Sequence, residues 1–141
     1  MNYNNEITSL LIAKNIQITA IRILVLQFLV SYKKAISLSI LENEFEFSDR
    51  SSLYRTLITF NEKGLIHKIN DGSSSTKYAL CDTSCEIENH LDLHPHFYCE
   101  KCKTTVCVNH VSIPKIQLEE FTVNSTDIII RGICKDCNKV A

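Results

Sequence analysis

The feature that most restricts the fold of this 141-residue chain is a pair of Cys-x-x-Cys motifs in its second half. Two intervening residues allow both thiolates of a motif to converge on one ion, and two such motifs complete a tetrahedral sulfur site that suits zinc. A closed site of this kind leaves no position for a substrate, so its expected role is structural. Unligated thiols or a redox dithiol fit less well, because both motifs flank strand-like segments and neither opens a thioredoxin-type helix. The predicted structural ligands are Cys99, Cys102, Cys134 and Cys137.

The placement of the remaining cysteines also favours metal over disulfides. All seven lie at or after Cys81, and their odd number argues against a disulfide framework. The segment Met1–Glu6 has no basic region followed by an apolar stretch, so no secretory signal is expected and the cytoplasm is the expected location. No apolar run approaches the roughly 18 residues of a membrane span. With 45% hydrophobic and 22% charged residues, the composition is that of a globular protein.

The first half of the chain has the apolar spacing of four short amphipathic helices. Predicted limits are a first helix closing near Asn15, a second capped by Thr19, a third over Leu38–Phe45 capped by Ser37, and a fourth that follows Ser48 or Asp49 and stops at Gly64. The second helix is expected to bury one stripe, formed by Ile21, Leu24, Val25, Phe28 and Leu29.

After the fourth helix the apolar period changes to that of a strand. Leu65–Ile69 and Thr76–Leu80 are two predicted strands joined by a turn. Helices followed by a hairpin describe a winged helix-turn-helix, a DNA-binding fold, although a small helical domain with an added hairpin has the same pattern. Residues 1–80 carry nine basic and seven acidic side chains, a net charge of +2, and residues 81–141 carry six and nine, a net charge of −3. This weak asymmetry has the sign expected for DNA contact by the first half.

A polar connection over residues 81–92 is the expected hinge between a domain at 1–80 and a second domain at 93–141. Two predicted strands, His94–Cys99 and Thr104–Val108, surround the first cysteine motif, and Val123–Arg131 is a further β-rich run. Pro114 is predicted to be the first residue of a helix that runs to about Glu120.

A second metal site is indicated by two histidines just before the first cysteine motif. His94 and His96 are two residues apart, so on a strand both imidazoles point the same way and can reach one ion. His67 and Cys81 bracket the hairpin and are candidates to complete the site, with Cys107 in reserve. A site that spans hairpin, hinge and second domain would couple the orientation of the first domain to metal occupancy, which is the behaviour of a sensor.

Three stretches together resemble the ferric-uptake regulator family, and the resemblance covers nearly the whole chain. Thr19–Arg22 is similar to the family's opening of its second helix. Ser51–Leu57, followed by Glu62–Ile66, is similar to its recognition helix and exit. His94–Cys102 is similar to its His-x-His and Cys-x-x-Cys signature. Among the branches of the family, the zinc-uptake regulators are the most similar.

The resemblance implies an α+β protein with an N-terminal winged helix-turn-helix domain and a small α/β dimerisation domain that holds a structural zinc. It implies a homodimer rather than an enzyme, and a repressor that binds AT-rich palindromic operators of metal-uptake or peroxide-defence genes. Tyr54 and Arg55 then fall on the operator-reading helix, where Tyr54 would contact a thymine methyl and Arg55 a phosphate or guanine edge. A half-buried packing role is the alternative for Tyr54. The remaining expected DNA contacts are Ser51 and Ser52 on the same helix, and Arg22 and Lys14 at the DNA backbone.

Departures from the family pattern bear on which metal is sensed. The histidine that iron, peroxide and nickel sensors carry before the third helix is missing from Lys34–Ser37, and Ala79 stands where iron sensors commonly have a carboxylate. Cys81 matches the cysteine of zinc sensors, and His67 stands at the position of their aspartate ligand. The resemblance thus implies one structural and one regulatory Zn²⁺ per subunit. The implied regulatory ligands are His67, Cys81, His94 and His96.

Several alternatives remain open from the sequence. The connection before His94 is longer than is usual in the family and adds Cys85 and His90 as competing ligands, while Cys107 could replace or supplement His67. The family's third site is expected to be absent. An iron or peroxide sensor of the same family is the nearest alternative function. A thiol redox switch at Cys85, or a zinc-stabilised interaction module without DNA contact, are alternatives of other classes.

Overall fold

The computed structural model describes residues 3–80, 95–108, 111, 113–114, 116–124 and 126–139. Five helices and five strands are formed in this part of the chain. The helices are α1 (Tyr3–Ala13), α2 (Ala20–Tyr32), α3 (Leu38–Glu44), α4 (Arg50–Glu62) and α5 (Lys135–Asn138). The strands are β1 (Ile66–Ile69), β2 (Lys77–Leu80), β3 (His96–Cys99), β4 (Thr105–Cys107) and β5 (Ile129–Gly132). No helix among the described residues is long and apolar enough to cross a membrane.

Short polar side chains begin the helices of the first half, as predicted. The Oγ1 atom of Thr19 accepts a hydrogen bond from the Arg22 N–H at 3.3 Å, and the Ser37 Oγ accepts one from the Ile40 N–H at 3.4 Å. These contacts satisfy backbone donors that have no partner within the first helical turn. Asp49 precedes α4, but its carboxylate accepts from the Ser52 hydroxyl at 2.6 Å and makes no capping bond to the backbone.

Three helices, α1, α2 and α4, end where the backbone turns left-handed. Asn15 follows α1 with φ of 56°, Lys33 caps α2 with φ of 62°, and Gly64 follows α4 with φ of 75°. The stops predicted at Asn15 and Gly64 are confirmed. Glycine favours such a conformation because it has no Cβ, whereas Lys33 adopts it at a steric cost.

The main hydrophobic core lies among α1, α2, α3, α4 and the β1–β2 hairpin. Leu11, Leu26, Leu41 and Leu57 are each 0% exposed within it. The predicted stripe of α2 is partly wrong, because Leu26 is buried and Leu24 is 36% exposed. Helix α2 carries apolar side chains on nearly every one of its own faces, so spacing alone does not identify the face that meets the other helices.

The hairpin, which we call the wing, pairs β1 antiparallel to β2 with Ile66 opposite Leu80 and Ile69 opposite Lys77. Ile36, between α2 and α3, adds a backbone bridge to Tyr78 through hydrogen bonds of 2.8 and 2.7 Å. The wing is therefore attached directly to the helices of the first half.

A three-stranded sheet follows in the order β4-β3-β5, with β3 antiparallel to β4 and parallel to β5. The strands are shorter than predicted, and among the described residues of Val123–Arg131 only those from Ile129 onward are in a strand. The helix predicted from Pro114 to Glu120 is wrong for the described residues there, which form no helix. Ile116 and Leu118 are 51% and 54% exposed, so no buried face stabilises a helix at this position.

The wing packs against this second sheet. Ala35, Ile69 and Ala79 form a small buried cluster, with Cys107 and Ile129 of the second sheet packed on it. A backbone hydrogen bond from the Ala35 N–H to the Thr105 carbonyl, 2.8 Å long, crosses the same boundary. We call this boundary, lined by Ala35, the wing, β3 and β4, the seam.

Candidate metal centres and DNA-contact surface

The two Cys-x-x-Cys motifs meet beside the end of the second sheet. Cys99 is the last residue of β3, and parallel pairing sets it opposite Gly132, two residues before Cys134. The Cys99 and Cys137 sulfurs lie 3.8 Å apart, as do those of Cys102 and Cys134. All four sulfur atoms lie within 4.8 Å of one another.

This sulfur cluster has the dimensions of a zinc site. A tetrahedron with metal–sulfur bonds of about 2.3 Å has sulfur–sulfur edges of about 3.8 Å. The two sulfur–sulfur distances equal that edge and far exceed a disulfide bond of about 2.05 Å. Cys134 also precedes α5, which at four residues is a single helical turn. The four residues predicted from spacing alone are thus brought together in a geometry that fits a tetrahedral metal.

Backbone donors make one of these thiols acidic. The Cys99 sulfur accepts N–H groups of Cys102 and Cys134, each at 3.4 Å, and these bonds lower the pKa of Cys99 to about 6. The neighbouring thiol groups, that of Cys134 first, raise the pKa of Cys137 to about 12. Cys99 is therefore the first thiolate to form, and crowding of sulfur opposes the last deprotonation. A divalent cation relieves that repulsion, because it favours all four thiolates.

A second donor cluster lies on the seam. His67 of β1, His96 of β3 and Cys107 of β4 bring their donor atoms within 4.8 Å of one another. The His67 and His96 Nε2 atoms are 2.9 Å apart, and the Cys107 sulfur lies 3.7 Å from the His67 Nε2. His96 and Cys107 are directly opposite in the β3–β4 pair, whereas His67 is contributed by the wing. Both histidines are buried.

The geometry of this cluster is close to that of three zinc ligands. Tetrahedral bonds of about 2.0–2.1 Å to nitrogen and about 2.3 Å to sulfur give nitrogen–sulfur edges of about 3.6 Å and nitrogen–nitrogen edges of about 3.3 Å. The nitrogen–sulfur distance agrees, and the shorter nitrogen–nitrogen distance is also that of a hydrogen bond between two imidazoles. Either state holds the wing against β3. No aspartate or glutamate belongs to the cluster among the residues that the structure describes.

Of the predicted regulatory ligands, the structure thus brings His67 and His96 together. It adds Cys107, which the sequence analysis held only in reserve. The other predicted ligands lie outside the described residues: Cys81, His94, Cys85 and His90.

The residues expected to contact DNA lie mainly on the outer side of α4. Ser51, Tyr54 and Arg55 are exposed, and the Arg55 Nε donates to the Ser51 carbonyl at 3.3 Å. Tyr54 is 48% exposed, which leaves much of its side chain accessible to a partner. Ser52 is half-buried, and its hydroxyl is already bonded to Asp49.

Two further basic residues were expected at the DNA backbone. Lys14 follows α1 and Arg22 lies in the first turn of α2, and both are half-buried. The Arg22 guanidinium donates to the Gln17 carbonyl at 2.8 Å.

Four helices with a wing, followed by a small sheet that carries two thiol-containing donor clusters, define a winged-helix regulator with a metal-binding second domain. Residues 13–131 match the profile of the Ferric uptake regulator family, and the chain belongs to that family. The family consists of metal-responsive transcription regulators, with an N-terminal DNA-binding domain and a C-terminal dimerisation domain, and not of enzymes. No curated protein sequence matches the chain significantly.

Solved structures of the family share the fold at low sequence identity. The crystal structure of holo XcZur superposes with a TM-score of 0.63 at 17% identity, covering 96% of this chain and 99% of the other. A zinc-bound manganese uptake regulator gives 0.62 at 13% identity, with 91% and 98% covered. The ferric uptake regulator of Pseudomonas aeruginosa with manganese gives 0.59 at 16% identity, with 91% and 97% covered. These similarities establish the fold of the chain.

Proposed function

We propose that this protein is a zinc-responsive repressor that binds an operator as a homodimer. The observation that carries the proposal is the cluster of His67, His96 and Cys107, because its donors come from both sides of the seam. A metal held there would join the wing to the second sheet. Cys81 and His94 remain the proposed further ligands, with Cys85 and His90 as possible substitutes.

The donor set favours zinc as the signal. Two imidazoles and a thiolate are borderline-to-soft ligands that suit zinc in a four-coordinate site, whereas hard oxygen-rich spheres suit other divalent ions. One similar structure is of a zinc-bound regulator and another is of a regulator with manganese, so the choice of metal rests on the ligands of this chain. The four clustered cysteines supply the proposed second Zn²⁺ of each subunit, in a structural role.

The fold offers a direct route from the regulatory site to the DNA-reading helix. Only residues 63–65 separate α4 from β1, and the Leu65 N–H bonds back to the Phe60 carbonyl at 2.9 Å. Phe60 and Ile66 are both 0% exposed in the same core, so α4 and β1 are expected to move as one body. Fixing His67 against His96 therefore fixes the orientation of α4 relative to the second sheet.

We assign the winged-helix domain to residues 1–80, the hinge to 81–92 and the dimerisation and metal-binding domain to 93–141. Homodimerisation is supported by unusually exposed apolar side chains in the second domain. Phe121 is 73% exposed, Leu118 54% and Ile116 51%. Side chains of this size are seldom left in water without a partner surface when they lie in one segment. We propose a cytoplasmic location, because a repressor acts where the DNA lies.

The proposed operator is an AT-rich palindrome, read in two halves by the α4 helices of the dimer. Tyr54 and Arg55 would contact bases or phosphates, and Ser51 and Ser52 would lie beside them. Arg22 and Lys14 would contact the DNA backbone. The exposure of Tyr54 supports this assignment over a packing role.

The test begins with selection of a binding duplex from a random pool by the zinc-loaded protein. Fluorescence anisotropy then measures its affinity at buffered Zn²⁺, Fe²⁺ and Mn²⁺. We expect zinc to tighten binding at concentrations where iron and manganese do not. Activation by iron alone would overturn the zinc assignment in favour of an iron or peroxide sensor.

A pair of matched variants tests the DNA surface. Arg55→Ala should weaken operator binding about fivefold or more, because a charge-assisted contact to phosphate or guanine is worth about 1–3 kcal/mol. Lys139→Ala removes the same charge from an exposed position at the end of the chain and should change affinity little. Equal losses in both variants would indicate general charge attraction and contradict the assignment of α4 as the reading helix.

A further inference from the structure

A buried polar network lies on the seam beside the histidines. Asp71, in the turn of the wing, is 0% exposed, and its carboxylate accepts from the Lys77 Nζ at 2.6 Å and from the Thr105 Oγ1 at 2.5 Å. The Ser73 N–H and hydroxyl also donate to it, at 2.9 and 2.5 Å. Burial alone would raise the pKa of Asp71, but the donors, that of Lys77 first, hold it well below its usual value. Asp71 is therefore a buried, fully hydrogen-bonded carboxylate.

One member of the network belongs to the other side of the seam. Asp71, Ser73 and Lys77 all lie in the wing, whereas Thr105 begins β4 of the second sheet and is 0% exposed. The Lys77 Nζ also reaches the Thr105 Oγ1, at 3.3 Å. The Thr105 carbonyl accepts the Ala35 N–H. Thr105 is thus bonded to the first half of the chain through both its side chain and its backbone.

A second contact supports the closeness of the two parts. A Cβ placed on Gly72 would lie 2.3 Å from a guanidinium nitrogen of Arg131 in β5. The Arg131 guanidinium and the Lys77 ammonium both lie over the Tyr98 ring of β3, at 5.8 and 5.2 Å from its centroid. The wing turn therefore lies against the second sheet, with two cationic side chains over one aromatic ring.

The network and the candidate regulatory site share strand β4, and both take residues from the wing. Thr105 and Cys107 are two residues apart on β4, so their side chains leave the strand on the same face. His67 lies on β1, and Asp71 follows that strand in the wing turn. Whatever holds Asp71 against Thr105 also holds His67 near Cys107.

We propose that Asp71, Lys77 and Thr105 form a latch that keeps the wing on the second sheet without metal in the regulatory site, so that the His67, His96 and Cys107 donors are positioned before metal binds. The Thr105 hydroxyl is the part of the latch that crosses the seam. The latch itself is independent of the proposed function, and only its effect on zinc affinity rests on that function. Opening the seam removes the Thr105 hydroxyl from the Asp71 carboxylate. The other donors to this carboxylate, from Lys77 and Ser73, lie in the wing and remain bonded to it.

The test compares Thr105→Val, which keeps the shape but removes the hydroxyl, with Thr105→Ser, which restores it. Thr56→Val is the matched control, because Thr56 is also buried and its hydroxyl donates to the Ser52 carbonyl away from the seam. Each variant is prepared with one zinc per chain in the sulfur site and none in the second. Amide hydrogen exchange is then followed by NMR.

The readout is the Ala35 amide, whose hydrogen bond crosses the seam. The Ile36 amide is the internal reference, because its bond to the Tyr78 carbonyl lies within the first half of the chain. We expect Thr105→Val to speed exchange of Ala35 about tenfold, since a hydrogen bond to a charged group is lost, and to leave Ile36 unchanged. Thr105→Ser and Thr56→Val should leave the Ala35 rate near that of the unmodified protein. Equal Ala35 rates in Thr105→Val and Thr105→Ser would overturn the latch.

Zinc titration against a competing chelator gives the second readout. Because a ligand binds more weakly when its binding-competent state is less populated, Thr105→Val should weaken the second zinc by up to about tenfold, with rescue in Thr105→Ser. Because the affinity falls only as far as the seam-closed fraction falls, zinc affinity that stays unchanged while the Ala35 amide loses its protection altogether would refute pre-positioning of the donors. Failure of the unmodified protein to bind a second zinc would overturn the proposed function, while the exchange measurement would still decide whether the latch exists.

Discussion

Replacement of Cys107 is the sharpest test of the regulatory site, because the sequence analysis held this cysteine only in reserve as a regulatory ligand. In Cys107→Ser the sulfur that lies 3.7 Å from the His67 Nε2 becomes a hydroxyl. A neutral hydroxyl is a far weaker zinc ligand than a thiolate, and the serine side chain also reaches less far toward the metal. Both imidazoles stay in place, so the change isolates one donor.

The size of the effect follows from the number of donors. Four-ligand structural zinc sites bind with about 10–16 kcal/mol, or about 3 kcal/mol for each ligand. Loss of that amount corresponds to a dissociation constant about 100-fold larger. The His67 and His96 donors would still hold the ion, so weak binding should remain rather than none.

The assay is zinc titration of the protein with its sulfur site already loaded, in competition with a chelator of known affinity. Val106→Ala is the matched control, because Val106 is the neighbouring residue of β4 and belongs to neither donor cluster. We expect two zinc ions per chain in the unmodified protein and in this control, with the second weakened only in Cys107→Ser. If the affinity of Cys107→Ser for the second zinc is within twofold of that of the unmodified protein, Cys107 is not a ligand.

Three further predictions concern stability and the sulfur site. Cys134→Ser should reduce bound zinc by one ion per chain and lower the melting temperature, measured by metal analysis and calorimetry; full zinc retention would contradict a four-sulfur site. Leu57→Ala, at a side chain 0% exposed, should lower the free energy of unfolding by about 2–5 kcal/mol in denaturant titrations, and a loss below 1 kcal/mol would refute its place in the core. Asp71→Asn should be less stable than the unmodified protein near pH 6. Because the pKa of Asp71 is lowered by folding, its ionised form stabilises the native state above the unfolded pKa of about 3.9, and that advantage is lost as pH falls toward the folded value. The stability difference between the two proteins should therefore shrink below about pH 4; a difference that grows in acid would contradict the sign.

Local features of the fold were accessible from the sequence because their physics is local. The caps at Thr19 and Ser37 are bonds between residues three apart, and the stop at Gly64 needs only a residue that tolerates positive φ. The buried face of a helix was harder to predict from the sequence. The face of α2 that buries Leu26 depends on which helices lie beside it, and spacing could not select it in a helix that is apolar almost throughout.

The difference between local and tertiary signals also explains why the helix predicted after Pro114 was wrong. Proline is compatible with the first turn of a helix, but a short helix also needs a buried face, and the side chains of Ile116 and Leu118 are about half exposed in this chain. The local sequence indicated that a helix starts at Pro114, but the tertiary environment does not stabilise a helix there.

The two donor clusters divide in the same way. Each Cys-x-x-Cys motif places two thiols together by its own short loop, so the sequence alone predicted a four-sulfur site of Cys99, Cys102, Cys134 and Cys137, and the parallel β3–β5 pairing brings the two motifs together. Whether a thiol meets His67 and His96 depended instead on the β3–β4 register, which sets Cys107 opposite His96, and on packing of the wing against that sheet. The predicted strands on either side of the first motif already implied such a hairpin, and working out its register would have raised Cys107 among the candidates.

The Asp71 latch lay furthest from what the sequence determined. Asp71 and Lys77 are six residues apart in a wing turn, a pattern ordinarily read as solvated charge, and Thr105 lies 28 residues beyond Lys77. Only packing of the wing on the second sheet excludes water from them and makes each hydrogen bond matter. Short-range spacing determined the two cysteine motifs, the helix limits and the wing. The tertiary structure decided how those motifs meet and which distant polar groups share a desolvated seam, because strand pairing and burial are properties of the whole fold.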